Sequence, residues 1–383
     1  MIVCVADRTA PVVVPLADRQ LPYSAHRPGG TRGEAGRMNR KRCAGTVAVA
    51  AAVVIAASGP AGAGTAAPTT YGTSTAVGVH NAYEKAKYPY FADALDSGAA
   101  LVEVDVWTNG LGGSWRVSHG NPLGNNNNCV GAATAGELRS KNRNQDFAGC
   151  LADLRAWHDA HPGHRPILVK VEMKDGFNAK GGRGPAEFDA LIRQKLGDAV
   201  YGPGDLAQGH PTLDAAVRAG GWPPRAELAG KFLFELIPGT VEEKNPFDKL
   251  WTDVEYAGHL RDLAARGQLA RATAFPAVHG AAPGDPRDRY ADPALRPWFV
   301  VFDGDAATYL DGSIDTSWYD ARHYLLVMTD AHKVPPALDP TRPTEADALA
   351  RVGKLAAAHA SFATADWYPL PSVLATVLPR GGA

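Results

Sequence analysis

The sequence has few cysteines, no strong excess of charge of either sign and no apolar run long enough to cross a bilayer. Its 383 residues contain four cysteines, none in a C-x-x-C pair, which argues against a cysteine-bound metal. The formal net charge is −1, and residues 64–383 carry 31 Lys/Arg against 37 Asp/Glu. This mildly acidic body argues against nucleic acid as a partner and against purely electrostatic docking on an anionic membrane.

The segment that begins at Met38 has the three parts of a secretory signal peptide. A basic cluster at residues 40–42 precedes an apolar run at residues 47–57, and the small-residue site Ala61-Gly62-Ala63 follows. The apolar run is too short to span a bilayer. We therefore predict a signal peptide over residues 38–63, cleaved near Ala63, and a secreted protein.

Residues 1–37 have no clear periodicity and contain several prolines and glycines. They are consistent with an extension from a start codon assigned too early, with Met38 as the true start. No long linker divides the remainder, so residues 64–383 are predicted to form one catalytic domain.

Cleavage would remove Cys4 and Cys43. The two remaining cysteines, Cys129 and Cys150, are then predicted to form one disulfide in an oxidising compartment.

The remainder of the chain alternates short apolar runs with helix-like periodicity, which indicates a parallel sheet. Seven runs are predicted strands, at residues 76–79, 101–107, 166–174, 231–237, 299–302, 324–328 and 362–365. Residues 272–275 are a weaker eighth, and 115–119 a further short strand. Helices are predicted at residues 84–97, 147–160, 185–196, 213–219, 253–265 and 345–358. This pattern favours a TIM-type (β/α) barrel, in which active residues lie at the carboxyl ends of strands.

Polar side chains follow several of these strands and are expected to converge. They are His80, Asn81, Glu103, Asp105, His119 and Glu172. The amide and the three carboxylates supply only oxygen ligands, which suits Ca²⁺ or Mg²⁺ better than zinc. A divalent cation would also keep three neighbouring carboxylates ionised. Histidines suit acid–base chemistry near neutral pH, so the set favours a metal-assisted phosphodiester reaction.

Each of these residues also has a structural explanation when it is taken alone. A single histidine at a strand end is more often a hydrogen-bonded structural residue than a catalyst. Glu103 and Asp105 could belong to the solvent-facing side of an antiparallel strand. Only the coincidence of Glu103 and Asp105 with Glu172 and the two histidines at successive strand ends favours a functional site.

The order of these motifs resembles that of phosphatidylinositol-specific phospholipase C, most closely the secreted, calcium-dependent bacterial type. The resemblance rests on His80-Asn81, the E-x-D of residues 103–105, His119 after a short hairpin and the Glu of LVKVEMKD, and it extends from about Tyr71 to the C-terminus. It implies a distorted TIM barrel and a calcium site formed by Asn81, Glu103, Asp105 and Glu172, with Mg²⁺ a less favoured cation.

The resemblance also implies a reaction and a catalytic pair, His80 and His119. In that reaction the inositol 2-hydroxyl attacks phosphorus, diacylglycerol is released and a cyclic inositol phosphate is formed. His119 is the better candidate for the general acid at the glycerol oxygen, and His80 for contact with the phosphoryl group. We expect a monomer that meets membranes or micelles of phosphatidylinositol transiently.

Substrate preference is indicated by a departure from the eukaryotic relatives, which place lysines on the fourth strand to hold ring phosphates. This chain reads KFLFEL there, with Glu235 in the strand, which favours unphosphorylated phosphatidylinositol. Lys170, Trp367 and Tyr368 are candidate substrate contacts.

Two other functions compete with this interpretation. A glycerophosphodiester phosphodiesterase shares the barrel and an E-x-D element, but it would require His-Arg-Gly where this chain reads HNAY. A non-catalytic lipid- or sugar-binding barrel is disfavoured by the two histidines, because binding alone needs no acid–base pair.

Overall fold

Eight parallel strands close into a barrel in the computed structural model, which describes residues 69–108 and 113–382. The barrel strands are β1 (Ser74–Val79), β2 (Leu101–Trp107), β4 (Ile167–Met173), β5 (Phe232–Pro238), β6 (Ala274–His279), β7 (Val301–Asp305), β8 (Leu325–Thr329) and β9 (Phe362–Ala365). Strand β1 pairs with both β2 and β9 and so closes the ring. The predicted TIM-type barrel is therefore confirmed.

Two short strands lie outside the ring. Strand β3 (Arg116–Val117) pairs antiparallel with β2, and β10 (Val377–Pro379) pairs antiparallel with β1. The β2–β3 hairpin brings the residues after β3 back to the carboxyl end of β2. The predicted signal peptide and the extension before it lie outside the described residues.

Helices cover the outside of the barrel, and five of the six predicted helices begin and end within a residue of their predicted bounds. The α-helices in the described ranges are α1 (Phe91–Asp96), α2 (Phe147–Ala160), α3 (Pro185–Leu196), α4 (Pro203–Ala207), α5 (Leu213–Gly220), α6 (Thr240–Glu243), α7 (Thr252–Ala265), α8 (Ala306–Tyr309), α9 (Ser317–Asp320), α10 (Glu345–Ala357) and α11 (Pro371–Leu374). No helix among these residues is long and apolar enough to cross a membrane.

The helix predicted over residues 84–97 is wrong in its first half. Only α1 is helical, and the residues between Asn81 and Lys87 form turns. Pro89 explains the difference, because proline disfavours the helical conformation of the residue before it and lacks the N–H that a helix interior needs. The turns leave Glu84 and Lys87 free to point towards the barrel opening.

The predicted eighth strand is real but lies further along the chain, at Ala274–His279. Pro276 stands in its middle and weakens the strand signal in the sequence, since proline cannot donate a ladder hydrogen bond. Leu236 of β5 nevertheless stands in register with Pro276.

Alternation along β2 and β4 divides apolar from charged side chains. Valines 102, 104 and 106 alternate with Glu103 and Asp105, and all of them are buried. In the register of the sheet, Glu103 stands beside Lys170 and Lys170 beside Glu235, while Asp105 stands beside Glu172. Because neighbours in register point to the same face, two layers of charged groups occupy the barrel interior.

The pairing of β1 with β2 is short. Only two residue pairs join these strands, as between β8 and β9, whereas seven join β4 and β5. Gly78 makes this contact possible, because a Cβ atom there would lie 2.7 Å from Leu101 Cβ and 2.9 Å from Thr364 Cγ2.

The predicted disulfide between Cys129 and Cys150 is confirmed, and it closes a loop with a sequence separation of 21 residues. Such a loop contributes roughly 3 kcal/mol to stability in the chain-entropy model. The bridge ties the segment after β3 to the first turn of α2. It thereby anchors the chain that follows His119.

Candidate active site

Two histidines lie on either side of the Asn81 amide at the open end of the barrel. His80 follows β1 and His119 follows β3. The Asn81 Nδ2 atom lies 3.2 Å from His80 Nε2 and 3.1 Å from His119 Nδ1. Asn81 has a φ of 49°, a left-handed conformation that asparagine tolerates better than most residues. This turn in the backbone places the amide between the imidazoles.

Each imidazole also contacts a carboxylate through its Nδ1 atom. His80 Nδ1 lies 3.2 Å from Asp366 Oδ1, and His119 Nδ1 lies 3.3 Å from Glu84 Oε1. Lys87 Nζ donates to Asp366 Oδ1 at 2.6 Å and to the His80 carbonyl oxygen at 2.8 Å. The orientation of His80 is therefore fixed by contacts with both the β1 and the β9 ends of the barrel.

Burial and nearby carboxylates act in opposite directions on His80. Burial lowers the pKa of His80, but the Glu103 carboxylate and the hydrogen bond with Asp366 outweigh it and raise the pKa to about 9. A protonated His80 carries hydrogen on both ring nitrogens, so it cannot accept a hydrogen bond from the Asn81 amide. Without a bound cation, the carboxylates of Glu103 and Asp366 favour the charged form of the His80 imidazole.

Three carboxylates converge beside the histidines. Glu103, Asp105 and Glu172 each place one oxygen within 4.8 Å of the others. The backbone N–H of Asn81 donates to Glu103 Oε2 at 3.3 Å, and that of Thr240 donates to Glu172 Oε1 at 3.2 Å. The cluster therefore joins the ends of β1, β2, β4 and β5.

Two lysines balance these carboxylates. Lys170 Nζ lies 3.6 Å from Glu103 Oε1 and 2.7 Å from Asp303 Oδ2. Lys174 Nζ lies 3.2 Å from Asp105 Oδ2 and 2.8 Å from Glu172 Oε1. Since like charges in a buried cluster repel, each ammonium lowers the cost of ionising two acids.

The buried environment shifts the pKa values of these acids in different directions. Burial opposes ionisation of Glu103, but Lys170 and His80 hold the pKa of Glu103 below its usual value. Burial raises the pKa of Asp105 well above its usual value, and repulsion from Glu172 adds to the effect in spite of Lys174. Asp105 is thus the acid that gains most from a further cation.

The donor atoms fit a hard divalent cation. Asn81 Oδ1 and Asp105 Oδ1 are buried and have no hydrogen-bonding partner among the described residues, whereas Asp105 Oδ2 lies 3.2 Å from Lys174 Nζ. Unpartnered buried oxygens are costly unless a cation or water satisfies them. With Glu103 and Glu172 they form an all-oxygen set, the kind that binds Ca²⁺ or Mg²⁺.

A cavity of about 240 Å³ opens beside the cluster. His80, Glu103, Lys170 and Glu172 line one part of it, and residues in or just after β5 to β9 line the rest, among them His279, Asp303 and Asp330. Beneath it lies Glu235, which is completely buried. Burial and the nearby Asp303 raise the pKa of Glu235 well above its usual value.

The predicted substrate contacts have different positions. Lys170 is buried but lines the cavity. Tyr368 is half-buried and packs against Tyr88, with 5.8 Å between ring centroids. The prediction for Trp367 is wrong, because its side chain is completely buried and its Nε1 donates to the Asp339 carbonyl oxygen at 3.3 Å. A residue in the core does not meet a substrate.

Sequence reasoning did not assign several side chains that surround the site. They are Glu84, Lys87, Lys174, His279, Asp303 and Asp366. Asp303 and Asp366 each follow an apolar run, so a consistent rule about strand ends could have found them. Glu84 and Lys87 were hidden because their segment was predicted to be helical.

Known proteins match the chain in sequence and in fold. The profile of the family described as "Phosphoinositide phospholipase C, Ca2+-dependent" matches residues 79–255. A solved Ca²⁺-dependent phosphatidylinositol-specific phospholipase C from Streptomyces antibioticus is 85% identical, with a TM-score of 0.81, and the match covers 82% of this chain and 100% of that one.

A calcium-dependent phosphoinositol-specific phospholipase C from Pseudomonas sp. is more distant. It is 21% identical over 82% of this chain and 96% of its own, with a TM-score of 0.58, which shows a shared fold alone. No curated protein matches the chain.

Replacing Asp366 by asparagine tests how the His80 environment is built. Asp366→Asn removes a carboxylate from His80, so the His80 pKa should fall from about 9 by about one unit in calcium-free protein, as followed by NMR titration. Because the pKa of His80 is raised in the folded state, protonated His80 stabilises the fold. This contribution to the free energy of unfolding is complete below pH 6.5 and is lost as pH rises through about 9. Asp330→Asn, on the far wall of the cavity, should leave the His80 titration unchanged. An unchanged titration in Asp366→Asn would contradict this account.

Replacing Lys174 by methionine tests the charge balance. Lys174→Met leaves Asp105 and Glu172 without their ammonium, so calcium-free protein should lose about 3 kcal/mol of unfolding free energy. Added Ca²⁺ should restore most of that loss, because the cation supplies the missing charge. Urea denaturation with chelator and with calcium measures both values. Lys180→Met, at an exposed lysine, is the control. If the Lys174 variant and the parent are equally stable in chelator, Lys174 does not offset the charges of Asp105 and Glu172.

Proposed function

Because the chain belongs to the family of Ca²⁺-dependent phosphoinositide phospholipases C, we propose that it cleaves phosphatidylinositol to diacylglycerol and a cyclic inositol phosphate. The observation that carries this proposal is the pair of imidazoles held on either side of Asn81, directly beside the oxygen cluster. Acid–base groups and cation ligands within one opening suit in-line displacement at a phosphodiester.

Asn81, Glu103, Asp105 and Glu172 would hold the calcium ion. When bound there, Ca²⁺ neutralises charge on the phosphoryl oxygens and lowers the pKa of a coordinated hydroxyl. The unpartnered oxygens of Asn81 and Asp105 support this assignment. Lys174 must give up part of its contact with Asp105 and Glu172 when the ion enters, since both acids then serve the cation.

His119 is the better placed proton donor. Its Nδ1 faces Glu84, and its side chain is 50% exposed, so Nε2 points away from the acid that orients the ring. The inositol 2-hydroxyl oxygen forms a bond to phosphorus as its proton passes to a neighbouring carboxylate of the cluster, and the bond from phosphorus to the glycerol oxygen breaks. His119 protonates that oxygen, and neutral diacylglycerol departs.

His80 is assigned to the phosphoryl group. Its raised pKa keeps the imidazole charged at neutral pH in the cation-free site, and a charged imidazole can donate a hydrogen bond to a phosphoryl oxygen. The contact with Asp366 fixes the direction in which the ring points. His80 therefore stabilises charge on phosphorus, whereas His119 transfers a proton.

The cavity walls favour a headgroup without additional phosphates. Asp303 and Asp330 both line the cavity, and Lys170 is already paired with Glu103 and Asp303. His279 Nδ1 lies 2.8 Å from Glu243 Oε1, so this imidazole is also paired. Among the described residues that line the cavity, an added ring phosphate would meet carboxylates and no unpaired basic group, while ring hydroxyls can donate to the carboxylates.

We also place the enzyme outside the cell. The Cys129–Cys150 disulfide supports an oxidising compartment, in agreement with the predicted signal peptide. The monomeric state predicted from the sequence is retained as part of the proposal.

Calcium dependence is the first expected property. Glu172→Gln removes one charged ligand, so the calcium affinity measured by calorimetry should fall at least about tenfold, and turnover at limiting calcium should fall with it. Asp330→Asn lies in the same cavity outside the cluster and should keep the parent affinity. Full turnover of phosphatidylinositol after exhaustive chelation would exclude the metal-assisted mechanism.

Histidine substitutions separate the charge-stabilising role of His80 from the proton-transfer role of His119. His80→Ala and His119→Ala should each lower turnover of phosphatidylinositol by about 10²- to 10⁴-fold without loss of fold. A substrate with a nitrophenol leaving group needs no proton at that oxygen, so it should restore activity to His119→Ala far more than to His80→Ala. His161→Ala, at the opposite end of the barrel, is the control.

The phosphorus products, read by ³¹P NMR, distinguish this function from its closest rival. A cyclic inositol phosphate is expected first. Glycerol 3-phosphate without any cyclic product would indicate a glycerophosphodiester phosphodiesterase instead.

A further inference from the structure

Exposed apolar side chains are concentrated in one loop beside the site. Among the described residues, seven large apolar side chains are exposed: Leu123, Val241, Phe247, Leu250, Trp251, Leu349 and Val377. Four of the seven lie within residues 241–251, here called the 241–251 loop. Phe247 is 92% exposed, so nothing in the described protein covers it. Clustered exposure of this kind marks an interaction surface.

The 241–251 loop forms part of the rim of the cavity. It continues from the carboxyl end of β5, where the backbone N–H of Thr240 donates to Glu172 at 3.2 Å. Glu243, two residues into the loop, contacts His279, which lines the cavity. Leu123, 68% exposed, follows His119 by four residues and adds an apolar group on the same side of the molecule.

Hydrogen bonds inside the loop hold its apolar side chains outward. The N–H of Phe247 donates to Asn245 Oδ1 at 3.1 Å, and the N–H of Leu250 donates to Asp248 Oδ1 at 3.0 Å. The N–H of Thr252 donates to Glu242 Oε1 at 2.7 Å. The loop thus has a defined conformation, in which the apolar side chains face away from the body.

The acidic side chains of the loop are engaged, whereas its lysines are exposed. Glu242 is buried, and Glu243 is paired with His279. Lys244 and Lys249 are exposed beside Phe247 and Leu250. Apolar and aromatic side chains flanked by free lysines match the boundary between the acyl region and the anionic headgroups of a bilayer.

We propose that the 241–251 loop docks the protein on a phospholipid bilayer, with Phe247 and Leu250 entering the headgroup–acyl boundary. The proposal rests on the proposed function, because the scissile bond of phosphatidylinositol lies at headgroup depth and the rim must reach it. Apolar insertion is the main attraction, since residues 64–383 carry more acidic than basic groups. The lysines then contact the anionic headgroups.

A double variant tests the docking surface. For Phe247→Gln with Leu250→Gln, binding to sedimented phosphatidylcholine–phosphatidylglycerol vesicles should weaken at least about tenfold, because the apolar area buried on docking is lost. Turnover of dihexanoyl phosphatidylinositol, dissolved below its micelle concentration, should stay at the parent level. Val377→Gln is the control, since this exposed valine lies on β10, beside Ala76 in the first half of β1.

Three outcomes would overturn the proposal. They are a parent protein that does not bind vesicles, vesicle binding that the double variant leaves unchanged, and equal losses of binding in the double variant and in Val377→Gln. The second would leave a protein partner as the occupant of the loop. Failure of the proposed function is distinguishable, because a parent that binds vesicles but turns over no phosphatidylinositol would contradict the activity alone.

A tryptophan at position 247 provides an independent measurement of loop insertion, which does not depend on weakened vesicle binding. In Phe247→Trp, lipids brominated in the acyl chains should quench the fluorescence added by the new indole when vesicles bind. Val377→Trp, placed at the control position, should add fluorescence that these lipids do not quench. Equal quenching at the two positions, or none at position 247, would contradict insertion of the loop.

Discussion

The structure depends on ionisable groups that are held inside a barrel rather than on its surface. TIM-barrel interiors are usually filled by branched apolar side chains. Here Glu103, Lys170 and Glu235 form one layer, and Asp105 with Glu172 forms the next layer towards the opening. Placing carboxylates this close is costly unless cations balance them. The positions of the lysines, the unpartnered oxygens and the raised pKa of Asp105 all follow from that constraint.

The same constraint explains why the site is built on strands and completed by turns. Register between β2 and β4 fixes the separation of Asp105 and Glu172, so their repulsion cannot be relieved by moving apart. The histidines instead follow strand ends, where the backbone is less restricted. Asn81, with its positive φ, connects the two sets through its amide nitrogen towards the imidazoles and its backbone N–H to Glu103. Unusual backbone at such a point is typical of functional sites.

The sequence predicted most of what depends on periodicity and little of what depends on tertiary contacts. Alternation in LVEVDVW and PILVKVEMK was enough to predict β2 and β4 and the convergence of Glu103, Asp105 and Glu172. It could not show that Lys174 would turn back to these acids, because the position of an ammonium depends on the fold around it. Trp367 failed for a related reason: a polar-flanked aromatic residue after a strand has the same pattern whether it faces the opening or the core.

Docking on a membrane must overcome the charge of the site itself. The acids at the opening, among them Glu172, Asp303 and Asp330, lie where the protein would approach an anionic surface. Charges within about 8 Å of such a surface are only partly screened at physiological ionic strength. The acidic body is therefore not attracted electrostatically to an anionic membrane, and an apolar contact at the rim has to provide the binding free energy. Because the 241–251 loop directly follows Thr240, whose backbone N–H donates to Glu172, the surface that would meet the lipid and the group that would hold the cation share one short segment of backbone.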